Sequence, residues 1–123
     1  MLLIALLLVG TPAPAAARTL PSTAVAARTQ LAQQQRARFE RRLAQLAEAV
    51  ERQRAAGLSA GRVAFMQQDL ARVADGVTST LRIQGYMTAA EERSYTAMLG
   101  QVARKLARAD AERAPQLALV SRR

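Results

Sequence analysis

Apolar residues recur along this chain in three separate stripes, each at helical spacing. Phe39, Leu43, Leu46 and Val50 follow at intervals of four, three and four; Met66, Leu70, Val73, Val77 and Leu81 form a second series; Tyr95, Leu99, Val102 and Leu106 form a third. Each interval returns the side chain to one face of a 3.6-residue helix, so the pattern predicts three amphipathic helices. Local punctuation divides them. Gly57 and Gly85 supply the left-handed position that commonly follows a helix. Ser59 is a preferred N-cap, with Leu58 before it and Val63 at the fourth helical position, the spacing of a hydrophobic staple. Thr88 with Glu91 three residues later reads as a capping box, in which the two side chains satisfy backbone N–H groups left over by the first turn. Pro115 is expected to stop the third helix, after the basic cluster Arg104, Lys105 and Arg108 that complements its dipole. Gly76, within the second stripe, reads as a blemish costing about 1 kcal/mol relative to alanine.

Helices two and three are related by an offset of 29. Leu58 and Ser59 match Met87 and Thr88, while Met66, Leu70, Val73 and Val77 match Tyr95, Leu99, Val102 and Leu106. Neither copy is long enough to be stable alone in water, so both must pack on something. Upstream, Arg18–Pro21 reads as a linker and Ser22 or Thr23 as a cap for helix one, which runs through the Gln-rich stretch Gln30–Gln35 and ends near Ala56. The first half of that helix is weakly patterned. The expected fold is all-α, either an antiparallel three-helix bundle crossing at about 20° or a helical hairpin that dimerises. Residues 18–38 are assigned to a linker or the start of helix one, 39–114 to the helical domain and 115–123 to a C-terminal tail.

The N-terminus carries a different pattern. Leu2–Val9 is a continuous apolar run, Gly10, Pro12 and Pro14 follow it, and Ala15–Ala17 offers small side chains to a signal peptidase. The run falls well short of the roughly 20 apolar residues that span a bilayer. Residues 1–17 are therefore expected to be a cleaved signal peptide, although no basic residue precedes the run, and the mature chain to be periplasmic or secreted. Without cysteine, neither a lipid anchor at the cleavage site nor a disulfide is available. The remaining 106 residues, 18–123, suffice for one domain with a modest core.

Charge bears on partners. Lysine and arginine number 18 against 9 acidic residues, a formal +9, and Lys105 is the sole lysine. A GC-rich coding sequence would produce the same arginine and alanine excess, so the bias is open to a compositional explanation. Whatever its origin, the charge favours contact with anionic lipid, lipopolysaccharide or acidic protein, screened beyond about 8 Å at physiological salt.

Chemistry is sparse by comparison. The absence of His and Cys removes the commonest general base, soft metal ligands and thiol nucleophiles. Glu48 with Glu51, Asp69 with Asp75 and Glu91 with Glu92 lack the spacing of a calcium loop. Glu48 with Arg52 and Arg36 with Glu40 have the i,i+4 spacing of helix-surface ion pairs. Gly57–Gly61 lacks the lysine and preceding strand of a phosphate loop. Specific nucleic-acid binding has the charge but neither helix-turn-helix spacing nor an aromatic platform. Met66, Met87 and Met98 read as core filler. The sequence thus assigns no catalytic, cofactor-binding or metal-binding residue, and the chain is expected not to be an enzyme.

Two resemblances rest on the helix starts. Gly57-Leu58-Ser59 and Gly85-Tyr86-Met87-Thr88-Ala89-Ala90-Glu91, with the helices that follow across residues 45–110, resemble small exported bacterial proteins of uncharacterised function that carry paired G-L-[ST]-x-x-E helix starts. Arg62 departs from that pattern, standing where the first copy would have Glu. Met87-Thr88-Ala89-Ala90-Glu91 is also similar to the L-T-x-x-Q element of Spy/CpxP-type periplasmic chaperones. That likeness implies a dimeric helical cradle whose basic and apolar face holds unfolding clients. The sequence leads to an exported, non-enzymatic helical interaction module that binds a protein partner or the anionic envelope surface. An ATP-independent chaperone and an anionic lipid or lipopolysaccharide binder are the alternatives, and homodimerisation is compatible with each.

Overall fold

A computed structural model describes residues 19–122. The described residues form three helices and no strand: α1 (Thr19–Ala55), α2 (Ala60–Gln84) and α3 (Ala89–Val120), each packed on the other two. The signal peptide expected over 1–17 lies outside these residues. Contacts fix the directions. Gln35, early in α1, meets Met87 just before α3, and Gln53, late in α1, meets Asp110 late in α3, so these helices run parallel, with α2 antiparallel between them.

The punctuation forms as the local chemistry dictates. Gly57 and Gly85 adopt φ of 96° and 80°, a region that side-chain-bearing residues avoid. Ser59 Oγ accepts from the Arg62 N–H at 3.4 Å, and Leu58 packs against the core. At α3 the box closes in both directions, with the Glu91 N–H donating to Thr88 Oγ1 at 3.3 Å and the Thr88 N–H donating to Glu91 Oε2 at 2.8 Å.

Those bonds hold the Glu91 carboxyl below the ordinary glutamate value of 4.5, first through the Thr88 backbone N–H, then through the side chains of Gln84 and Thr88. A carboxylate depressed on folding stabilises the fold fully above its unfolded pKa, and that contribution is lost as pH falls through the folded pKa. Glu91→Gln is therefore expected to lower the thermal midpoint at pH 7 and to converge with the parent chain as pH falls below the carboxylate range. Equal midpoints at both ends of that titration would show that the charge of Glu91 adds nothing measurable to the cap, since glutamine at that position can still close the box.

The three stripes meet in one core. Phe39, Leu46 and Val50 from α1, Val63, Met66, Leu70, Val73, Val77 and Leu81 from α2, and Leu99, Val102, Leu106 and Ala109 from α3 are buried, with Met87 closing the α2–α3 turn. Leu43, Tyr95 and Met98 are partly buried against it, so all three methionines named above contribute to the core.

Several sequence expectations are corrected. Arg18–Pro21 is not a linker from Thr19 onward, and neither Ser22 nor Thr23 is a cap, because α1 already begins at Thr19. Pro21 falls in the first turn, where its missing N–H would have had no intrahelical partner. Pro115 does not stop α3, and the expected tail at 115–123 is helical to Val120. Proline's φ is itself helical, and the ring deprives only the Ala111 carbonyl of its bond; Ala111 is exposed, where water replaces the donor. Arg36 and Glu40 form no ion pair, whereas Arg52 and Glu48 do, at 4.0 Å.

Gly76 is not a blemish. A Cβ placed there would lie 2.7 Å from Tyr95 Cε1 and 2.8 Å from Tyr95 Oη, so the glycine admits the ring of α3 onto the backbone of α2. That ring is fixed on both sides: Tyr95 Oη and Thr80 Oγ1 share a hydrogen bond at 3.1 Å, and Phe39 meets the ring edge-on with centroids 6.2 Å apart. Gly76→Ala is accordingly expected to destabilise the chain by about 1–3 kcal/mol through overpacking, despite alanine's better helix propensity. In a Tyr95→Ala background the same change should become stabilising. Urea denaturation of the four chains measures the sign reversal; a stabilising effect in both backgrounds would rule out the close approach.

Candidate functional site

Six ion pairs form among the described residues, and they decide where charge is left over. Arg38–Glu92 at 2.9 Å joins α1 to α3, Arg62–Glu112 at 2.7 Å and Lys105–Asp69 at 2.6 Å join α2 to α3, and Arg52–Glu48, Arg54–Glu51 and Arg113–Asp110 stay within one helix. All are substantially exposed, and such pairs contribute little stability. Their greater effect is to neutralise particular cations. Arg41, Arg42, Arg72, Arg82, Arg104 and Arg108 have no carboxylate partner among the described residues.

The carboxylates singled out above are mostly committed. Glu51 accepts from Arg54 and Gln67, Asp69 from Lys105, Glu92 from Arg38, and Glu91 serves the α3 cap. Among the described residues no three carboxylates gather as a metal-binding group. Nor is any described helix long and apolar enough to cross a membrane.

An open groove of about 540 Å³ lies between α1 and α3 among the described residues, within the 300–1,000 Å³ range of ligand pockets. One wall carries Arg38, Arg41 and Arg42, residues i, i+3 and i+4 on α1, whose side chains lie about one helical turn apart. Opposite stand Glu92, Thr96 and Gly100 of α3, and the floor is apolar, made by Phe39 and Leu99. Arg38 is neutralised by Glu92, so the unbalanced charge belongs to Arg41 and Arg42. The groove thus sets two unpaired guanidinium groups over an apolar base, beside the Arg38–Glu92 pair and the Thr96 hydroxyl.

A second groove, of about 260 Å³ between α2 and α3, is lined by Arg62, Phe65, Met66, Lys105 and Arg108. Phe65 is 68% exposed. Here Arg62 and Lys105 are both paired, which leaves Arg108 as the unbalanced cation.

Sequence reasoning did not single out Arg41, Arg42 or Gly100. The i, i+3, i+4 arginines flanking Phe39 were visible, as was a glycine inside the third helix, but arginine is so abundant that no subset stood out. Comparison with known proteins adds no identity, since no protein-family model, curated protein or solved structure matches the chain.

Proposed function

We propose that this chain is an exported, non-enzymatic helical module that binds acidic protein or anionic envelope components through its basic surface, after removal of residues 1–17. The observation that carries the reading is the pair of unpartnered arginines, Arg41 and Arg42, over the apolar floor of the α1–α3 groove. On a chain of formal charge +9, these are the cations best placed to meet an anion at contact range. The test has two arms. Expressed in a bacterial host with its full N-terminus, the protein is expected in the envelope or medium with Arg18 as its first residue. Purified from there, it should bind an acidic peptide or anionic phospholipid vesicles with an affinity that falls as salt rises. Salt-independent retention on neutral vesicles, or binding to neither anionic probe, would refute the binding role; intact protein confined to the cytoplasm would refute export.

A chaperone is the second reading, favoured by exposed Phe65 beside Arg62, Lys105 and Arg108, a face both basic and apolar. It predicts that equimolar protein suppresses aggregation of an unrelated unfolding client, and that Phe65→Ser weakens the suppression. A binding module without chaperone action leaves aggregation unaffected.

A further inference from the structure

Gly100 sits in the middle of α3 and lines the α1–α3 groove. Helix propensity favours alanine there, and unlike Gly76 nothing in the fold demands glycine. A Cβ at Gly100 would meet only Arg104 Nη1, at an ordinary 3.6 Å. The missing side chain therefore leaves open space on the groove wall, facing Arg41 and Arg42 across the floor. Arg104, which has no carboxylate partner, adds a further guanidinium beside that space.

Resting on the binding role proposed above, we infer that the α1–α3 groove is the seat for an acidic amphipathic helix of a partner protein, which docks as a fourth helix over Gly100. Geometry and charge argue for this occupant together. The cleft between two packed, parallel helices is where a further helix completes a four-helix bundle, and a glycine lets its backbone approach closely. Arg41 and Arg42 are the free cations on that wall, each one turn from Arg38, which Glu92 holds, so carboxylates along the edge of an incoming helix would meet two unpaired guanidinium groups there. A flat bilayer presents no ridge to enter the cleft.

A second copy of this chain fits poorly. Its own packing helices leave only Glu40 and Asp75 without a bonded partner among the described acids, one on α1 and one on α2, so no described helix offers two free carboxylates a turn apart. The N-terminal stretch of α1 before Ala32 meets the core, residues 19–31, contains Arg28 and no acid.

The test uses the full secreted chain and a labelled synthetic amphipathic helix with leucine along one face and glutamate pairs along its edge, beside the same peptide with glutamine for glutamate. Fluorescence anisotropy is expected to show binding of the glutamate peptide that weakens with salt and is at least about tenfold tighter than that of the glutamine peptide. The double variant Arg41→Ser/Arg42→Ser and the variant Gly100→Leu should each weaken binding by a similar factor, whereas Arg82→Ser should not. Gly100→Leu and Gly100→Ala are expected to keep or raise the thermal midpoint, which separates an obstructed groove from a damaged fold. Full affinity in Gly100→Leu, or equal losses in Arg82→Ser and the groove variant, would overturn the docking site while leaving the basic-surface role standing. Groove-dependent binding of anionic vesicles without peptide binding would also overturn it, assigning the cleft to lipid. Binding to neither probe would remove the broader role as well.

Discussion

Phe39→Ala is expected to destabilise the chain by about 3–5 kcal/mol, the range for truncating a buried phenylalanine. The reason lies in how much converges on that ring. Phe39 is buried on α1 and meets Tyr95 of α3 at an interplanar angle of 84°, and Tyr95 in turn lies against Gly76 and bonds Thr80 on α2. Removing the ring opens a cavity at the contact joining all three helices and takes away the edge-to-face term, itself about 0.5–1.5 kcal/mol. Domains of this size have about 5–15 kcal/mol in total, so the variant should lose more than about 10 °C in thermal midpoint. Phe39→Leu, which keeps most of the volume, should lose less. Circular dichroism through a thermal ramp measures both, and a Phe39→Ala midpoint matching that of the parent would contradict the docking of α1.

Leu99 and Phe39 also floor the groove, so the Phe39→Leu variant bears on recognition when its peptide binding is measured by anisotropy. A chain carrying Phe39→Leu that remains folded but binds an acidic helix less tightly would show that the floor contributes contact as well as stability.

What the sequence made legible was everything enforced within a few residues. A 4-3-4 stripe buries itself wherever the helix goes, and Thr88 finds Glu91 because both stand in one turn. The features it hid depend on residues far away in sequence. Gly76 resembles a flaw until the Tyr95 ring is laid on it. Gln53 bonds Asp110 and Arg113 near the far end of α3, across separations of 57 and 60 residues, yet it reads as one more polar residue in a polar helix. One signal was available. Gln35 and Gln53 are 18 residues apart, five full turns, and extend the Phe39–Leu46–Val50 face in both directions. Pro115 misled for the opposite reason, because a local rule predicts a stop where solvent exposure makes the lost bond tolerable. The groove was the least legible feature, since it exists only once α1 and α3 lie side by side.

Gln35→Leu is expected to cost about 2–4 kcal/mol, although leucine is the more apolar side chain. In the parent chain Gln35 Nε2 donates to the Met87 carbonyl at 2.8 Å and the Met87 N–H donates to Gln35 Oε1 at 2.8 Å. Both residues are almost wholly buried, and among the described residues no buried side-chain nitrogen or oxygen lacks a partner. Leucine would strand a buried backbone donor and acceptor together, each at about 1–3 kcal/mol, partly offset by its own burial. Gln35→Glu distinguishes this mechanism from a simple packing defect. A protonated glutamic acid has glutamine's pattern of one donor and one acceptor, whereas the carboxylate only accepts and places a charge in the core. Its folded pKa should therefore rise above the unfolded value. The cost is then absent below the unfolded pKa, grows as pH rises toward the folded pKa and stays constant above it. Urea unfolding at acidic and neutral pH should show Gln35→Glu close to the parent in acid and strongly destabilised at pH 7, while Gln35→Leu is impaired at both. If the two variants respond to pH alike, the paired bonds to Met87 are not what hold α1 against the α2–α3 turn.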